Sequence, residues 1–316
     1  MVTTITTTTT MQQSVIPNIP VSARWARNGV TVAGGDIQSD FTSNLWYPMG
    51  LVLADDQTMI IADNWNHRII QWKVGDINGQ VVAGGHGEGN QLDQLKYPSV
   101  VLIDHETNSL IICDQGNRRV VRWSRRSGTA HGEIILDDIS CRGLAMDNQR
   151  YLYVSDYDEH EVRRYQMGDI NGIIVAGGYG KGVGLHQLNS PTCLFVDQQQ
   201  TVYVSDSKNN RVMKWSKEEH EGIMVAGAPK NTAINLYFPR GLFVDALGTV
   251  YVADSLNHRV MRWPQGGKQV TIIVDGYGTV VGPTQLNSPV DLLFDQHGNL
   301  CVVDSGNHRI QRFSME

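Results

Sequence analysis

The chain has 316 residues, 26 Lys and Arg against 32 Asp and Glu, and a net charge of −6. With 41% hydrophobic and 18% charged residues it has the composition of a folded chain with a large core, which excludes disorder for most of its length. The acidic balance argues against nucleic acid as the default partner, and no apolar run reaches the roughly 20 residues a membrane-spanning helix needs.

Residues 1–22 come first. Thr3, Thr4 and Thr6 to Thr10 form a low-complexity run followed by Pro17 and Pro20, which predicts a flexible tail ahead of one folded unit over 23–316. The alternative is the stub of a Thr-rich, O-glycosylated stalk of a longer extracellular chain, although no Asn-x-Ser/Thr sequon occurs. Met1-Val2-Thr3-Thr4-Ile5 lacks the basic start and apolar stretch of a secretory signal. Cys113, Cys141, Cys193 and Cys301 are far apart, show no CxxC spacing and sit in apolar stretches, so free buried thiols are expected. Together these place a cytoplasmic location slightly ahead of an extracellular one.

Next comes an isolated strand pattern, Val30-Thr31-Val32-Ala33-Gly34-Gly35, and then a repeat. Asp63, Asp114, Asp156, Asp206, Asp254 and Asp304 recur at intervals of 51, 42, 50, 48 and 50 residues. Each is followed by a polar turn and, nine residues on, by an aromatic: Trp72, Trp123, Tyr165, Trp215, Trp263 and Phe313. Within a unit the pattern is that of strands. Gly241–Asp245 is a short apolar run, Thr249–Asp254 is rich in β-branched and aromatic residues, and Arg259–Trp263 alternates apolar with basic. A fourth strand follows an Asn-Gly turn, as in Gln80–Gly85 and Ile173–Gly178. Four antiparallel strands at this period make a propeller blade, so the expectation is all-β: a six-bladed β-propeller. The last unit stops after its third strand, and Val30–Gly35 matches the missing fourth, so the N-terminal strand is expected to complete the last blade and close the ring.

The stretch Pro239-Arg240-Gly241-Leu242, with Asp245, Gly248, Tyr251-Val252-Ala253-Asp254 and Asn257-His258-Arg259-Val260, resembles the NHL repeat. The resemblance covers residues 24–316. It implies a binding platform, as in the recognition modules of TRIM-type ubiquitin ligases, RNA-binding propellers or sensor domains. A more distant resemblance to the peptide-amidating lyase and the regucalcin/gluconolactonase group implies the alternative, a lyase or hydrolase around a channel calcium or zinc.

Candidate residues fall into two sets. The first is the repeated pair Asp63/Arg68, Asp114/Arg119, Asp206/Arg211, Asp254/Arg259 and Asp304/Arg309, five residues apart and expected to clamp a turn, since so many copies around a ring cannot be one active site. The third unit departs, with Glu161 at the Arg position, and it is also short. The second set follows each opening proline or its equivalent: Met49, Ser99, Arg142, Thr192, Arg240 and Val290, with Asp291 beside them, expected near the channel mouth. Two arginines there suit an acidic or carboxylate group, and Trp65 and Tyr157 in the same loops are candidate anchors for a protein or peptide. This set lacks the carboxylates and amides a channel calcium needs, and His67, His258 and His308 repeat once per blade, too far apart for one ion, so no cofactor is expected. The Gly-rich stretches at 84–89 and 177–182 have no helical pattern behind them and read as inter-blade turns, not phosphate cradles. RNA binding is carried only by Arg118, Arg119, Arg122, Arg125 and Arg126, within a stretch, 114–164, holding nine Arg and nine Asp or Glu. The expectation is a monomeric, non-enzymatic scaffold.

Overall fold

The computed structural model describes residues 19–35, 44–54, 58–126, 129–227, 234–266, 269–276 and 285–316. They form six four-stranded antiparallel sheets arranged as the blades of a β-propeller. Blades 1 to 6 open on the inner strands Pro48–Leu53, Pro98–Asp104, Cys141–Met146, Pro191–Val196, Pro239–Val244 and Pro289–Phe294. Val30–Gly34 is the outermost strand of blade 6, pairing with Arg309–Phe313 (Val30 with Arg312, Gly34 with Arg309). The closure extends further: Trp25 bridges to Met315, the Ala26 amide donates to the Ser314 carbonyl (2.8 Å), and the Glu316 amide to that of Arg24 (2.9 Å).

Burial follows the strand period. The second strand of each blade is buried on both faces, as in Thr58–Asp63, so alternate side chains serve opposite neighbours. Met59 and Ile61 pack against Val290, Val303 and Ile310 of blade 6, while Ile60 and Ala62 pack against Val101, Leu110 and Ile112 of blade 2. Six such clusters lie between adjacent blades, so the core is divided among the blade contacts. Of the segment read as a tail, residues 1–18 lie outside the described residues. Ile19 is buried in the cluster between blades 5 and 6.

The cysteine expectation needs correction. Cys113 and Cys141 form a disulfide, with Cα atoms 5.8 Å apart. The link after blade 2 is so short that blade 3 opens on Cys141, where the other five blades open on proline, beside the end of blade 2's second strand. Sequence distance was a poor guide because the ring brings successive blades into contact. Only Cys193 and Cys301 are free, and the thiol argument for a reducing compartment falls away. Among the described residues no helix is long and apolar enough to cross a membrane.

Candidate binding site at the channel mouth

Each inner strand carries a register shift against its partner immediately after its first residue, for example between Pro48 and Gly50, Cys141 and Gly143, and Pro239 and Leu242. A bulge re-aims the side chain it carries. The residues at these shifts are Met49, Ser99, Arg142, Thr192, Arg240 and Val290, and all six line one central channel together with Asp291.

The third position of the inner strand sorts these residues by size. In blades 1, 3 and 5 it is Gly50, Gly143 and Gly241, where a Cβ would lie 2.7 Å from the Ser99 carbonyl oxygen, 2.2 Å from that of Thr192 and 2.5 Å from the Asp291 Cα. Neighbouring inner strands therefore approach closely at alternate blades. The long side chains Met49, Arg142 and Arg240 precede those glycines; the shorter Ser99, Thr192 and Val290 come from the blades between. Arg240 crosses the channel, its Nη1 reaching 3.5 Å from the Met49 Sδ. Met49, Arg142, Arg240 and Val290 border both a mouth cavity of about 610 Å³ and a channel cavity of about 150 Å³ below it, forming the floor between them.

That floor is electrostatically unusual. Burial lowers the pKa of Arg142, and burial together with the charge of Arg142 pushes Arg240 down to about 10. Among the described residues neither guanidinium has a carboxylate within salt-bridge distance, and Arg142 Nε is buried without a hydrogen-bond partner. The nearest compensation is aromatic: Arg142 lies over Tyr157 (4.8 Å), with Lys208 over the same ring (5.2 Å), and Arg240 over Phe238 (5.4 Å). Below, Asp291 accepts the Leu51 and Leu292 amides (3.0 and 2.9 Å), joining blade 6 to blade 1 at the ring closure. Burial pushes its carboxyl up to about 7. Burial likewise pushes the Cys193 thiol up to about 12, which removes it as a thiolate nucleophile.

The opposite arc of the rim is aromatic. Trp46 and Trp65 stack (6.1 Å between centroids), and Tyr47 and Tyr97 close on Trp65 at 5.3 and 6.0 Å. Trp46 and Trp65 are each 51% exposed, so these rings are an open shelf. The repeat holds the shelf in place. Asp63 accepts the Trp46 amide (2.7 Å), Asn66 Nδ2 (2.9 Å) and Arg68 Nε (2.8 Å); Asp114, Asp206, Asp254 and Asp304 do the same for Lys96, Asn189, Tyr237 and Asn287 and their own Asn and Arg. Burial outweighs the guanidinium and raises all five carboxyls above their ordinary value. In blade 3 Asp156 accepts only the Asp158 and Glu159 amides (3.2 Å each), and Glu161 pairs with Arg163.

The histidines are inter-blade staples. His67, His258 and His308 each adopt a left-handed conformation (φ 53, 53 and 57°), and their Nδ1 atoms accept the Tyr97, Ser288 and Tyr47 amides of the next blade (3.1, 3.0 and 3.1 Å). Accepting through Nδ1 requires a neutral ring, and burial lowers the pKa of His67 and His308. His160 and Asn210 do the same for Ser190 and Phe238.

Sequence reasoning did not find the staples, or Tyr47, Tyr97 and Phe238 at the mouth, or Trp46 and Lys208 packed on Trp65 and Tyr157. The available signal was an aromatic residue before three of the five opening prolines, Tyr47, Tyr97 and Phe238; each takes positive φ (46, 48 and 55°), as do Ser190 and Ser288 at the other two. The basic cluster is largely spoken for: Arg118 binds Asp138 and Asp158, Arg119 is a clamp, and Arg122 binds Glu133. A groove of about 640 Å³ between blades 3 and 4, bordered by Arg164, Trp215 and Lys217 among others, gathers no comparable pair of unmatched charges.

The sequence model of the NHL repeat matches residues 236–262 and 286–313. No curated protein matches the chain. Among solved structures, an auxiliary nutrient binding protein from Bacteroides thetaiotaomicron is similar at 14% identity and a TM-score of 0.71, over 93% of this chain and 77% of that one. A gluconolactonase from Xanthomonas campestris is similar at 15% identity and 0.65, over 96% and 99%. Virginiamycin B lyase from Staphylococcus aureus is similar at 9% identity and 0.56, over 92% and 99%. At these identities the likeness is one of fold.

Proposed function

This chain is a six-bladed β-propeller of NHL repeats, and from that premise we propose that it is a non-enzymatic binding module holding a protein or peptide at the channel mouth through an acidic or carboxylate group of the partner. The observation that carries this reading is the floor of the mouth, where Arg142 and Arg240 border the same cavities, desolvated and, among the described residues, without a carboxylate in salt-bridge range. Burying two like charges without partners costs stability, and an anion from outside repays it. The mouth cavity is within the size range of ligand sites, and the exposed aromatic shelf has the composition of an interface anchor. The likeness to a nutrient binding protein supports a binding use of this fold.

A metal-centred lyase or hydrolase is the second reading, favoured by the likeness to the gluconolactonase and the lyase. Among the described residues no three His, Cys, Asp or Glu side chains converge to hold an ion.

The test is a labelled acidic peptide titrated into wild type and into the double variant Arg142→Gln/Arg240→Gln. We expect a loss of about tenfold or more, as for charge-assisted bonds, with no fall in melting temperature. Equal affinities would overturn the reading. One bound ion per chain, with a melting shift reversed by chelator, would put the enzyme first.

A further inference from the structure

The shape of the mouth narrows the partner's chemistry. Beneath Arg142 and Arg240 the channel holds about 150 Å³ and is walled by Leu51, Val101, Leu144, Leu194 and Leu242, with Asp291 as its one carboxylate. No polypeptide can thread that space, and a second anion would meet Asp291 in apolar surroundings. The mouth is therefore a funnel that narrows sharply at its floor: aromatic along one arc of the rim, polar along the rest, and cationic at the bottom. A ligand that fills it must end at its charge. An internal Asp or Glu reaches the floor only if its loop folds into the funnel, and burying that loop's amides and carbonyls calls for donors and acceptors. Of the polar side chains in the lining, Asn64 Nδ2 already donates to the Pro98 carbonyl (2.9 Å) and Asn287 Nδ2 to that of Gly306 (3.3 Å), which leaves a loop's backbone few partners there beyond Gln115 and the serines. A chain end brings its carboxylate down with the fewest backbone groups. The side chains just before it then lie at the height of Tyr47, Trp65, Tyr97 and Phe238.

We infer that the funnel captures the free C-terminal carboxylate of a peptide whose last residues are apolar or aromatic, the carboxylate lying between Arg142 and Arg240 and the side chains on the aromatic shelf. This rests on the reading of the mouth as a peptide site and adds the chain end as what is recognised. A carboxylate matches two planar guanidiniums as a bidentate acceptor. Exposed stacked rings offer apolar area at little entropic cost, because they are already packed on one another.

The experiment uses the full chain and a random decapeptide library displayed with free C-termini. The best peptide is then resynthesised as the acid, as the C-terminal amide, and as the acid extended by Gly-Gly. We expect selected peptides to end in aromatic or aliphatic residues, and the amide and the extended peptide each to bind about tenfold more weakly or worse. Arg142→Gln/Arg240→Gln should abolish the difference between acid and amide, whereas Trp65→Ala should weaken both alike. Melting curves of both variants check that they fold. Equal binding of acid and amide overturns the chain-end inference. If the selected peptides then carry internal Asp or Glu and lose affinity in the arginine variant, the anionic-partner reading stands without it. If no peptide binds below about 100 µM, both fall.

Discussion

Two kinds of arginine share one face of this ring and face opposite circumstances. Arg68 is fully buried and bonded to Asp63, and its equivalents Arg119, Arg211, Arg259 and Arg309 are bonded to theirs. Arg142 and Arg240, at the bulges of the inner strands, are desolvated by the protein, Arg240 is further opposed by the charge of Arg142, and among the described residues no carboxylate lies within salt-bridge distance of either. The first kind repeats because five of the six blades hold their loop in the same way. The second occurs in only two of six equivalent positions, the others being Met49, Ser99, Thr192 and Val290, and it opposes the fold. Residues that recur once per blade maintain the ring; departures from the repeat at a position aimed into the channel carry the binding chemistry.

The largest blow to that contrast comes from breaking a clamp. Asp63→Ala leaves the Arg68 charge buried and the Trp46 amide without its acceptor, and should cost about 3–5 kcal/mol, read from urea unfolding. A loss below about 1 kcal/mol would mean the clamps are as weak as surface pairs.

Asp291 tests the same contrast through pH. Its folded carboxyl is pushed up to about 7 from an ordinary 3.8, so the folded state holds the proton more tightly than the unfolded one. Its contribution is intact below about pH 4 and is lost as pH rises through 7. Asp291→Asn keeps only one acceptor oxygen for the two amides, so it should fall about 1 kcal/mol below wild type near pH 4 and exceed it by about 1–3 kcal/mol at pH 8. Parallel stability curves across that range would refute the assignment.

The mouth arginines are expected to move stability and binding in opposite directions. Arg240→Met removes a desolvated charge repelled by Arg142 and should raise stability by about 1–3 kcal/mol while abolishing preference for an acidic partner. A destabilised variant would place Arg240 with the clamps.

The smallest effect is the most specific. His308 must be neutral to accept the Tyr47 amide, and burial lowers its pKa from 6.5. The unfolded chain takes up the proton first, so the staple's contribution is present above about pH 6.5 and is lost as pH falls through the lower folded value. Asn210 fills the equivalent position in blade 4 and accepts the Phe238 amide without titrating. His308→Asn should be within about 0.5 kcal/mol of wild type at pH 8 and fall less steeply between pH 6.5 and 5. An unchanged slope would locate the acid sensitivity elsewhere.

Much of this was legible beforehand. Six aspartates at a near-constant interval, each with its aromatic nine residues on, specify six blades, because a unit that cannot bury both faces alone must stack on its like. The orphan Val30–Gly35 specified the closure for the same reason: an unfinished blade leaves an open edge. One repeat position maps to one radius of the ring, which is why the second residue of every inner strand borders the same channel.

What the tertiary structure decided concerns neighbours in space from different blades. Cys113 and Cys141 are 28 residues apart and meet only because a short link sets blade 3 against blade 2. Trp46, Tyr47, Trp65 and Tyr97 form one shelf only because His67 and His308 staple the loops of successive blades, and a pre-proline residue shows its left-handed turn only in three dimensions. That Arg142 and Arg240 meet over the channel unpaired depends on Gly143 and Gly241 letting the adjacent inner strands close in. Periodicity along a chain determines what each blade is, because strand pairing and turn chemistry are local. Which side chains share a cavity is settled by ring closure, where residues a hundred positions apart are brought within van der Waals reach and a charge is neutralised or left waiting.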